Sequence, residues 1–172
     1  MSIYSKFNDS VMLNLIALTK PRVNLLIIFT AIVGMLLAQD FNLNYSLMMY
    51  ASIGIYLAAS AAAVINHIVD QKIDAIMDRT KGRPLIKGNV TSNHAIYFSV
   101  FISSISTYIL FEYVNTITTI LTLFSIIVYS IIYSVYLKNL TSQNIVIGGI
   151  AGATPPLIGW AAAAASSINS NN

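Results

Sequence analysis

The chain has 172 residues, of which 56% are hydrophobic and 9% charged, whereas a soluble domain carries charge on roughly a quarter of its residues. It has no cysteine, which excludes a disulfide framework, a thiolate metal cluster and a thiol nucleophile. The formal net charge is +3, but the basic residues fall in short clusters between apolar runs. That pattern orients membrane proteins and does not line a nucleic-acid groove, so the lipid bilayer is the expected surrounding and no nucleic acid is.

A helix of about 20 apolar residues crosses a bilayer core of roughly 30 Å. Five such windows are legible, and they predict an all-α integral membrane protein with about five transmembrane helices. The first runs from Val23 to Gln39, behind Lys6, Lys20 and Arg22, with Pro21 suited to a first helical turn. This run also has the outline of a secretory signal, basic residues ahead and small ones behind, but the four later windows favour a first membrane span. The second window is Leu47 to Ile65, the third Ala95 to Phe111, the fourth Ile117 to Leu137 and the fifth Ile145 to Ala165. The polar end from Ser166 to Asn172 reads as a disordered tail, so residues 1–165 form a single transmembrane domain and 166–172 a tail. No alternating barrel pattern and no internal repeat stands out.

All lysines and arginines fall on one side of this arrangement. Lys72, Arg79, Lys81, Arg83 and Lys87 lie in the connector 66–93 and Lys138 lies between the fourth and fifth windows, while the connectors Asp40 to Ser46 and Glu112 to Thr116 carry no positive charge. The positive-inside rule therefore places the N-terminus and the loop 66–93 in the cytoplasm.

That loop holds the chemistry. Asn66, Asp70, Asp74 and Asp78 recur every four residues, so on a continuing helix each is turned only about 40° from the one before. Such a ladder of oxygen donors suits a hard divalent cation, above all magnesium shared with phosphate oxygens. A single aspartate here would more readily be read as solvating a helix end and pairing with Lys72 or Arg79. The full ladder in a chain so poor in charge favours the metal reading. Behind it, Arg79-Thr80-Lys81-Gly82-Arg83-Pro84-Leu85 supplies cations, a hydroxyl and a turn, which fits phosphoryl oxygens or, as a plainer alternative, a loop that sets topology.

The pattern Asn66-x-x-x-Asp70-x-x-x-Asp74 resembles the first aspartate-rich motif of the UbiA superfamily of membrane prenyltransferases. The run Arg79 to Leu85, the segment Leu137 to Gly149 continued by Ala151 to Trp160, and Lys20-Pro21-Arg22 resemble its haem-farnesylating branch. The resemblance covers roughly residues 18–163. It implies a helical bundle around a membrane-facing cavity, with Mg2+ as cofactor and farnesyl diphosphate and haem b as substrates. Asn66, Asp70 and Asp74 become the metal ligands, Asp70 and Asp74 the catalytic carboxylates, and Arg79, Lys81, Arg83 and Lys138 the diphosphate contacts. Asp78, His67 and Tyr133 are weaker candidates: helix-end polarity is the favoured account of His67, and interfacial anchoring accounts for Tyr133 equally well. Inner-membrane localisation and a place in terminal-oxidase biogenesis follow from the same resemblance.

The family plan has about nine spans and a second acidic motif in a later loop. The acidic residues here are Asp9, Asp40, Asp70, Asp74, Asp78 and Glu112, which form no second cluster. The chain thus corresponds to the N-terminal half of a nine-helix bundle, an incomplete domain or a half-enzyme that a partner chain would complete. Two alternatives remain at this level: a prenyltransferase acting on an aromatic quinone precursor, and a non-catalytic membrane protein that binds divalent cations.

Overall fold

The computed structural model describes residues 3–38, 44–130, 149 and 152–170, and every regular element among them is helical. They are α1 (Ile3–Leu18), α2 (Pro21–Ala38), α3 (Tyr45–Val69), α4 (Gln71–Asp74), α5 (Ser92–Tyr113), α6 (Thr116–Ile127) and α7 (Thr154–Ser170).

Three helices, α2, α3 and α5, are long and apolar enough to cross a membrane, and the apolar stretch Thr116–Ser130 is shorter. They coincide with the first three predicted windows. The far end of the fourth window and the start of the fifth lie outside the described residues. The C-terminal helix starts at Thr154 and runs on through Ser166–Ser170, so those residues continue a helix where the composition reads as a disordered tail. Serine and asparagine are weak helix formers but not breakers, and extending an existing helix adds one backbone bond per residue fixed. The sequence reading also lacks α1, because its polar residues dilute any hydropathy window.

Local chemistry sets the helix starts. The Asn44 side chain accepts from the Leu47 amide (3.0 Å) and that of Asn115 from the Thr118 amide (2.7 Å), satisfying donors that a helix start leaves unpaired. Thr91 caps α5 by accepting from the amide of His94, so His94 belongs to the opening turn of that helix.

The bundle pairs α3 with α5 and α2 with α7, joined through α2 against α3. Small residues permit the close approaches. A Cβ added at Gly34 would meet the backbone of Pro156, and one at Gly159 the backbone of Ala31, as expected for helices packing in lipid without a hydrophobic drive. The Ser106 hydroxyl donates to the Gly54 carbonyl (2.7 Å), tying α5 to α3. Leu25, Leu26, Phe29 and Leu37 of α2 and Val100, Phe101 and Phe111 of α5 are exposed, the side chains a bilayer would cover.

Two apolar clusters result. One, around Ala31, Met35, Ala51, Ile55, Leu110 and Ile158, fills the bundle. The other gathers Leu18, Val64, Leu85, Val90 and Ala95. It therefore draws the α1–α2 corner, the end of α3 and the loop before α5 to one place.

Candidate functional site

At that place α3 ends. The Asp70 amide donates to the Asn66 carbonyl (2.9 Å) and the Asp74 amide to the Asp70 carbonyl (2.8 Å). Three rungs therefore keep helical register although α3 closes at Val69 and α4 lasts one turn. Asn66 and Asp74 are buried, 6% and 5% exposed, and Asp70 is half-buried.

The fourth rung departs from the expected ladder. Beyond Asp74 the chain tightens: the Ile76 amide donates to Ile73 and the Thr80 amide to Met77, both spanning three residues. Bonds spanning four residues, from the Met77 amide to Ile73 and the Lys81 amide to Met77, are interleaved with these, so the segment is a run of turns and not a continuing helix. The Thr80 hydroxyl, itself buried, donates to the Asp74 carbonyl (2.8 Å) and locks the turn. Asp78 consequently points outward, fully exposed, and pairs with Lys81 at 2.7 Å.

The basic run divides in the same way. Arg83 reaches back nine positions to Asp74, its guanidinium donating to the Asp74 carboxylate. Leu85, buried two residues later, holds the backbone that makes this reach possible. Lys81 is spent on Asp78, and Arg79 is exposed. The loop ends are closed by the Ser92 hydroxyl donating to Gln71 Oε1 (3.0 Å), and Gly88 takes a left-handed turn (φ 74°) open to glycine at little strain. Tyr133 and Lys138 lie outside the described residues.

His67 follows Asn66 at the end of α3 and is buried there. The α1–α2 corner at Lys20 is the segment that spacing along the sequence did not associate with the loop. It precedes the ladder by more than forty positions, and only the packing of Leu18 on Val64 brings it there.

Among the described residues no three histidine, aspartate or glutamate side chains cluster tightly enough to hold a metal unaided. What the site offers is one amide oxygen and two carboxylates in register, with a guanidinium closed onto the last.

The chain is thus a multi-pass helical membrane protein with Asn66, Asp70 and Asp74 in register at a helix end and Arg83 drawn against Asp74. The UbiA prenyltransferase family matches residues 27–170, and the chain belongs to that family. It is similar to proteins named protoheme IX farnesyltransferase. Identity is 52% over 151 residues with that of Vesicomyosocius okutanii (87% of this chain, 51% of the relative) and 53% over 148 residues with that of Xanthomonas campestris (84% and 50%). With that of Hahella chejuensis it is 50% over 143 residues (83% and 48%). The chain thus spans about half the length of the curated relatives it matches. No solved structure matches it.

Proposed function

We propose that this chain supplies the first acidic cradle of a protoheme IX farnesyltransferase, acting at the cytoplasmic face of the inner membrane within terminal-oxidase biogenesis. The observation that carries this reading is the helical register of Asn66, Asp70 and Asp74 with Arg83 closed onto it, inside the stretch about half identical to proteins of that name.

The donor set fits Mg2+. This small hard ion keeps several waters and is held by one or two carboxylates together with substrate phosphates rather than by a full protein cage. Asn66, Asp70 and Asp74 would hold it. Bound there, it would neutralise charge developing on the departing diphosphate. Arg83 and Arg79 bind phosphoryl oxygens in two-pronged fashion, and Lys138, with Lys81 once it leaves its exposed pairing with Asp78, adds point contacts. Apolar walls exclude water from the allylic cation until the acceptor meets it. In the overall reaction the farnesyl C1–O bond breaks, its electron pair leaving with diphosphate. A haem b vinyl carbon bonds to C1, and water adds hydroxyl to the neighbouring carbon and releases a proton, giving haem O.

Two measurements test the reading. Asp70→Asn with Asp74→Asn should abolish Mg2+-dependent binding of farnesyl thiodiphosphate by the chain in lipid nanodiscs; unchanged binding rejects the site and leaves a non-catalytic membrane protein. In membranes that also carry the rest of the enzyme, mass spectrometry should detect haem O. Prenylated benzoate in its place assigns the chain to quinone-precursor chemistry.

A further inference from the structure

Lys20 sits at the α1–α2 corner with φ 54°, the left-handed region, and is the non-glycine residue found there among the described residues. The position after a helix C-cap takes this conformation often, and glycine normally occupies it, because a Cβ is strained there. A lysine in that place needs a reason beyond making the turn.

The corner is also unusually well held. Thr19 is buried, and its hydroxyl donates to the Ile16 carbonyl (2.7 Å). The buried Asn24 amide donates both to the Thr19 carbonyl and to the Ser60 hydroxyl of α3 (2.8 Å each). The backbone amides of Val23 and Asn24 close on the Lys20 carbonyl (3.0 and 3.2 Å). Leu18, two residues earlier, packs with Val64 and Leu85, which stand two residues from Asn66 and from Arg83 respectively. A strained residue is thus over-determined on both sides and fixed to the segment that bears the acidic register, the circumstance in which strain marks a functional site.

We propose that Lys20 is a diphosphate-binding residue of this site, held there by Asn24 so that a cation from the α1–α2 corner faces the anion opposite Arg83. The inference rests on the reading given under Proposed function and extends it to a third segment of the chain. A flexible ammonium beside a guanidinium fits a terminal phosphoryl group that must be gripped and then released. The polar Asn24–Ser60 contact then has a purpose within an otherwise apolar bundle, since it sets the direction of the corner.

The test uses the 172-residue chain in nanodiscs, inorganic pyrophosphate with Mg2+, and binding followed by 31P NMR. Lys20→Gly should weaken pyrophosphate binding about tenfold while the unfolding temperature stays level or rises, because glycine relieves the left-handed backbone. Lys20→Arg should stay within about threefold of the parent, since it keeps the cation. Arg22→Gln removes an exposed charge two residues away and should change binding less than twofold, which separates a specific contact from net charge. Parent-like binding by Lys20→Gly, or an equal loss in Arg22→Gln, overturns the proposal while leaving the acidic site standing. If the parent itself shows no Mg2+-dependent binding, the underlying reading fails, and Lys20 with it.

Discussion

Asp74 and Arg83 are expected to serve different ligands, a cation and a phosphate, yet they hold each other. A carboxylate closed on a guanidinium has surrendered an oxygen that a metal would need. Phosphate oxygens would compete for the same guanidinium, so under the proposed function diphosphate at Arg83 would release Asp74, and metal and diphosphate should bind cooperatively. Arg83→Gln should then raise the affinity for Mn2+ alone about fivefold, read by electron paramagnetic resonance, while lowering that for pyrophosphate; weaker Mn2+ binding would count against this linkage. Removing one partner of a fully buried pair costs roughly 3 kcal/mol. The cost here is smaller because the Arg83 side chain is 28% exposed and glutamine can still donate to Asp74. The exposed Asp78–Lys81 pair belongs to a different class, and Asp78→Asn should change neither stability nor metal binding measurably.

At the scale of elements, α2 and α7 meet through glycines whose missing side chains let backbone touch backbone. Such contacts tolerate no added volume. Gly159→Ala should destabilise the bundle by about 2 kcal/mol or separate these two helices, as measured by thermal unfolding in detergent micelles. Gly82→Ala, where an added Cβ meets nothing within 4 Å, is the matched control and should be neutral. The same logic explains Asn115. It caps α6 and also donates to the carbonyls of Ala161 and Ala162 in α7 (3.3 Å each). In the sequence Asn115 is legible only as part of the connector Glu112 to Thr116; its bridge to the last helix is not.

For the whole molecule, the absence of cysteine makes topology directly measurable, because any introduced thiol is unique. Asn93 and Tyr45 are both exposed and lie at the starts of α5 and α3, on opposite sides in the positive-inside arrangement. A membrane-impermeant maleimide should label Asn93→Cys only in inside-out vesicles and Tyr45→Cys only in right-side-out ones; the reverse pattern would invert the orientation. The chain spans about half the length of its curated relatives, and the apolar side chains it leaves exposed on α2, α5 and α6 are available to lipid or to further helices.

Sequence alone determined what depends on one-dimensional periodicity and solvation. Long apolar runs must be helices in lipid because every backbone group has to be satisfied internally. A four-residue spacing of Asn66, Asp70 and Asp74 must place those oxygens along one helical face. Tertiary structure alone decided where that periodicity stops and what comes to meet it. Asp78 leaves the ladder because the helix gives way to turns beyond Asp74, held by the Thr80 hydroxyl. Arg83 meets Asp74, and the α1–α2 corner draws near, because Leu18, Val64 and Leu85 share one apolar cluster. Such convergence is a property of packed volume between distant segments, and the spacing of residues along a chain carries no measure of it.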